Sequence, residues 1–188
     1  MSPRKITVTY GHITTKVVGE VWVAERARGI WTIHIDTTRD RFLDRLQRDG
    51  VEAVADERQT AGTRRALREY FAGKRRRFDC KIDWSRLQGF DRRALQVCAK
   101  IPYGKVMSYG EIARRAGSPG GARAAGQAMG KNPFALVVPC HRVIKSDGSL
   151  GGYGGGELHK RALLDLEGVV LPKERIMRMP RRPFGLRI

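Results

Sequence analysis

Residues 108–130, SYGEIARRAGSPGGARAAGQAMG, decide the fold: they read as two short helices around a tight turn. Ser108 is placed to cap the first helix, and Glu111 three residues on completes the pattern of a capping box. Ile112, Ala113 and Ala116 give that helix an apolar side, and Gly117 stops it. Ser118-Pro119-Gly120-Gly121 is the turn, and 122–130 the second helix. Ala122, Ala124, Ala125, Gly126 and Ala128 leave that second helix nearly bald, with Arg123 standing out. Glycine weakens a helix, so close approach to another surface is the compensation. That surface is either a neighbouring helix in the core or a nucleic-acid groove.

Working outward, residues 90–99 carry Leu95, Val97 and Cys98 at helical spacing, and Ile101-Pro102-Tyr103-Gly104 breaks the pattern. Downstream, the apolar run 134–138 reads as a buried strand ended by Pro139. It leads into Pro139-Cys140-His141-Arg142-Val143, with a thiol directly before an imidazole. A thiol is a strong nucleophile only as thiolate, and a nearby imidazole can take its proton. The plainer alternative is a buried cysteine acting as a small hydrophobe. Residues 145–148 form a turn. Gly151-Gly152-Tyr153-Gly154-Gly155-Gly156 cannot form a regular element and suits a backbone-lined pocket, a lid or a linker. It lacks the strand–GxGxxG–helix context of a dinucleotide loop and the GK[ST] of a P-loop. The last helix, 159–167, puts Ala162, Leu163 and Leu166 inward and is stopped by Gly168. It leaves Glu167 in its final turn, where the helix dipole disfavours a carboxylate by roughly 0.3–1 kcal/mol. A cation or an N–H partner would offset that.

Residues 1–88 read as a small α/β unit: a hairpin over 17–23 and 30–35, helices over 39–48 and 63–71, and a basic turn at 74–77. No chemistry is legible there. The chain has 188 residues and a formal net charge of +18. The excess recurs along it: net +7 over 1–88, +6 over 89–171 and +5 over the Pro-containing tail 172–188. Such a field favours polyanions, nucleic acid first. No apolar stretch is long enough for a membrane span, and no signal-peptide pattern follows the basic start. Cys80, Cys98 and Cys140 are odd in number and widely spaced, which suits free thiols in a reducing compartment. The four histidines show no metal-ligand spacing.

Taken together, Pro139–Val143, Ile101–Val106, Ser108-Tyr109, Ala122-Arg123-Ala124, Gly130-Lys131-Asn132-Pro133, Gly152-Tyr153 and Leu166-Glu167-Gly168 resemble the 6-O-alkylguanine-DNA alkyltransferases. The resemblance runs from about Phe90 to Val170. It implies an α+β fold: an N-terminal α/β (RNase H-like) domain over 1–88, a winged helix-turn-helix-like domain over 89–171, and a basic tail over 172–188. It implies direct repair of alkylated guanine in double-stranded DNA, with base flipping and one irreversible turnover. In that family's pattern Cys140 accepts the alkyl group, and His141 deprotonates it through a bridging water. Glu167 holds the imidazole, Tyr109 assists base rotation, and Lys160 helps protonate the leaving oxygen. Arg123 fills the base stack, while Ala124, Ala125 and Gly126 enter the minor groove with Tyr109 alongside; Asn132, grouped with these DNA-binding residues, is a buried asparagine that braces the turn between recognition helix and active site. Tyr153, Gly154 and Val143 form the substrate pocket. Glycine at 154, where some members carry serine, implies a roomier pocket for larger alkyl or benzyl groups. No cofactor and no metal are expected; nor is a membrane. A monomer, cooperative on DNA at most, is expected in the cytoplasm, or the nucleus of a eukaryote. The competing reading is a non-catalytic alkyltransferase-like damage binder.

Overall fold

The computed structural model describes residues 6–171; the basic tail expected over 172–188 lies outside them. A four-stranded sheet comes first: β1 (Ile6–Thr15), β2 (Gly19–Arg26), β3 (Gly29–Ile35) and β4 (Val51–Ala55), in the order β3-β2-β1-β4. The first three strands are antiparallel, and β4 runs parallel to β1. Strands β3 and β4 therefore run in the same direction, and their connection requires a crossover, supplied by α1 (Arg39–Arg48). Alternation then sorts the side chains. Val8, Tyr10, Trp22 and Ala24 face Phe42 and Leu46 of α1. The β2–β3 hairpin lies where the sequence puts it, with β2 starting at Gly19.

One strand goes unread in the sequence and one expectation fails. Strand β1 is not legible, because its threonines are weakly apolar and Gly11 interrupts it. Gly11 is required there: a Cβ would lie 2.5 Å from the Thr60 hydroxyl of the segment crossing it. The run 134–138 is not a strand. Only Phe134 makes a bridge, to Ile33; Leu136 then turns at φ 71, and the Val138 N–H returns to Phe134 O at 2.8 Å. It is apolar because it is enclosed on every side, which is a demand of position rather than of strand pairing.

After α2 (Ala61–Phe71) come α3 (Gly89–Cys98), β5 (Met107–Ser108), α4 (Tyr109–Arg115), α5 (Ala122–Gly130), β6 (Val143–Ile144) and α6 (Glu157–Leu166). Helices α4 and α5 are the helix-turn-helix, and β5 pairs with β6 as a two-stranded wing. The capping box is half made: Ser108 Oγ accepts the Glu111 N–H at 3.2 Å, but the Glu111 carboxylate goes to Arg114 and Arg115. One core joins the halves. Ile13, Val21, Val23, Ile33, Leu67 and Tyr70 share a buried cluster with Leu95, Ile112, Ala128 and Leu163. The N-terminal unit is therefore one wall of the site and not a separate module.

Candidate active site

Cys140 opens a 3₁₀ turn, Cys140–Arg142, directly after Pro139. Its side chain is 7% exposed. The amide of Asn132 fixes this corner: Nδ2 donates to Val138 O at 2.8 Å and to Cys140 Sγ at 3.1 Å, while Oδ1 accepts the Phe134 N–H at 3.0 Å. Asn132 thus braces this corner from inside, and its polar atoms are spent there and not on a DNA face. Burial pushes the Cys140 thiol up, and the Asn132 bond pulls it partly back. At rest the group is a thiol.

His141 is fully buried, with Nε2 2.9 Å from Glu167 Oε1. Burial, helped by the charges of Arg142 and Lys160 and opposed by Glu167, leaves the imidazole neutral, its pKa below the ordinary value. Glu167 is held down at about 2 despite its own desolvation, because His141 and Arg142 bond to it. A carboxylate can only accept, so Nε2 must carry the proton and Nδ1 must carry the lone pair. Nδ1 is buried and has no hydrogen-bond partner in the structure.

Glu167 ends α6, followed by Gly168 at φ 70. Five donors converge on its two oxygens. Arg142 Nε and Nη2 each bond at 2.8 Å, His141 Nε2 at 2.9 Å, the Tyr70 hydroxyl at 2.7 Å and the Gly104 N–H at 3.2 Å. The cation and the N–H that the helix dipole calls for are Arg142 and Gly104. Arg142 is itself anchored on Ile101 O at 2.6 Å. Sequence reading missed both Arg142 and Tyr70. Arg142 stands beside the histidine and could have been found as the buried counter-ion. Tyr70 carries no local signal, and it corrects the reading of residues 1–88 as without a role in the chemistry.

Lys160 is fully buried. Its ammonium donates to Val143 O at 2.6 Å, Leu150 O and Gly152 O at 3.3 Å, and sits 3.5 Å from the Tyr109 hydroxyl. Burial lowers its pKa to about 8. The Tyr109 hydroxyl donates to Gly152 O at 3.0 Å. Lysine and tyrosine together clasp the glycine-rich segment 151–156. Gly151 turns there at φ 68, and any Cβ on it would press the Tyr109 ring at 3.0 Å.

A cavity of about 520 Å³ opens beside Cys140, lined on this side by Met129, Asn132, Ala135, Tyr153, Gly154 and Gly155. Strand β3 lines its far wall. Val143 is not on it: its side chain is fully buried in the core, and its carbonyl is what serves Lys160. On α5, Arg123 is exposed and Ala124 and Gly126 are half-buried, whereas Ala125 is fully buried. Ala125 therefore packs inward, which corrects its placement on a groove-facing surface. Gly126 lies against the Tyr109 ring, close to the mouth of the site. Among the described residues no group of three or more histidine, cysteine or acidic side chains could hold a metal ion, and no helix is long and apolar enough to cross a membrane.

Such an arrangement can generate a thiolate next to an enclosed space and hold a neutral imidazole ready for its proton. Residues 89–169 match the family described as 6-O-methylguanine DNA methyltransferase, DNA binding domain. A methylated-DNA–protein-cysteine methyltransferase of Salmonella typhimurium is 38% identical over 159 residues, 82% of this chain and 92% of that protein. One from Mycobacterium tuberculosis is 53% identical over 103 residues; the match spans 54% of this chain and 61% of the length of that relative. The crystal structure of Mycobacterium tuberculosis OGT in complex with DNA superposes with a TM-score of 0.70 at 38% identity, covering 85% of this chain and 92% of that one.

Proposed function

This chain belongs to the methylated-DNA–protein-cysteine methyltransferase family, and from that premise we propose that it repairs 6-O-alkylguanine in double-stranded DNA by taking the alkyl group onto its own Cys140. The observation that carries the proposal is a thiol on the wall of a cavity, next in sequence to a buried histidine whose Nε2 is held by Glu167.

The target base leaves the stack and enters the space beside Tyr153 and Gly154, as base-handling proteins require. Arg123, exposed at the start of α5, takes the position vacated in the duplex. A water between Cys140 Sγ and His141 Nδ1 relays the thiol proton to the imidazole. Glu167 stabilises the imidazolium that results, the logic of a triad with cysteine as nucleophile. The thiolate attacks the alkyl carbon; the S–C bond forms as the C–O bond breaks, and the electron pair leaves with the purine. Tyr109 supplies a proton to the purine, and the Lys160 ammonium at 3.5 Å replenishes it. The thioether has no hydrolytic route among the side chains of the site, so each molecule acts once. Cytoplasmic residence belongs with this reading.

Incubation with a duplex holding one 6-O-methylguanine tests the proposal. Unmodified guanine should be restored in the strand, and Cys140→Ala should abolish that while leaving the dissociation constant for the duplex within about twofold. A Cys140→Ala protein that still restores guanine would place the acceptor elsewhere.

A further inference from the structure

The cavity beside Cys140 does not end at the site of transfer. It continues past Gly155 and Thr37 to the exposed arginines of α1. Arg41, Arg45 and Arg48 all line it, and their spacing of four and three residues puts them on one face of the helix. None of the three has an acidic partner within ion-pair distance among the described residues. Two carboxylates line the same cavity: Asp49, which pairs with Arg86, and Asp36, which lies 3.8 Å from His159. Arg41, Arg45, Arg48, Arg86 and Lys131 outnumber these two carboxylates in the lining, so the excess of charge is positive. His34, on the β3 wall, is held down at about 4 by burial and by the charges of Arg45 and Arg86.

The alkyl group is the part of the substrate nearest the sulfur. A short group stays beside Cys140, but a long one must project along the cavity. Gly154 and Gly155 leave that path free of side chains, and a Cβ on Gly155 would press Ile35 at 2.9 Å. We infer that the α1 arm of this cavity is a subsite for the far end of a bulky 6-O-alkyl group, and that Arg41, Arg45 and Arg48 select groups ending in an anion such as a carboxylate. The inference rests on the transfer chemistry above and adds the substrate class. A flexible carboxylate and partly exposed arginines interact through a high dielectric, so discrimination is salt-sensitive and moderate.

Free-base probes separate this from DNA binding. Second-order rates of Cys140 alkylation are measured at low salt with 6-O-benzylguanines bearing a para carboxymethyl or a para aminomethyl group, alongside methyl transfer from a duplex. The carboxylate should react about ten times faster than the cation in the wild-type protein. The ratio should fall towards one in Arg41→Gln/Arg45→Gln/Arg48→Gln and in 1 M salt, with methyl transfer from the duplex unchanged. A ratio near one in the wild type, or one that survives the triple substitution, overturns the subsite. Absence of methyl transfer in the wild type would instead sink the repair reading itself.

Discussion

In the proposed mechanism a single lone pair, on Nδ1 of His141, decides whether Cys140 becomes a nucleophile. It faces inward because Glu167 claims the other ring nitrogen. Two groups here prefer fewer protons in the fold than in the unfolded chain. His141 titrates below its ordinary 6.5, and Glu167 at about 2 instead of 4.5. Their contribution is therefore complete above pH 6.5. It is lost as pH falls, first as the unfolded histidine gains a proton and then as pH crosses from 4.5 towards 2. Thermal midpoints measured from pH 7.5 downward should fall steadily below pH 6.5; a flat profile down to pH 4 contradicts the buried neutral imidazole. Tyr70→Phe removes one of the five donors to Glu167 with almost no change of shape. It should cost about 1.5–3 kcal/mol of stability, the usual range for a hydrogen bond to a charged group. Denaturant unfolding reads this, and alkyl transfer should slow without loss of DNA affinity.

At the scale of elements, the helix-turn-helix was legible because caps, stops and apolar spacing agree locally. Ser108, Gly117 and Gly121 fall at the boundaries where the sequence puts them. The same local reading pointed to Glu167 as a carboxylate in need of a cation, but could not see which one. The 134–138 run misled because burial on all sides and strand pairing leave the same apolar signature. Ala125 misled because a bald helix has two small faces, and only packing tells which is inside. Arg123 is the exposed cation at the head of α5. Arg123→Ala should slow repair in duplex DNA at least tenfold more than transfer from free 6-O-benzylguanine. Equal losses on the two substrates would remove the arginine from the base stack.

Across the whole molecule, sheet and helices share a large buried cluster, and Tyr70 ties the N-terminal unit to the Glu167 carboxylate. No pattern within residues 1–88 carries that tie, since it depends on a partner 97 residues away. The net charge of +18 is spread over every part of the chain. Duplex affinity should therefore fall steeply with salt, the slope of log K against log salt giving the number of phosphates neutralised. The most direct measurement is the intact mass of the protein after reaction with excess duplex carrying 6-O-methylguanine, followed by peptide mapping. One added methyl per chain, on the peptide that contains Cys140 and with no further turnover, is the predicted result. An unchanged mass, a methyl on another residue, or more guanines restored than protein chains present would contradict it.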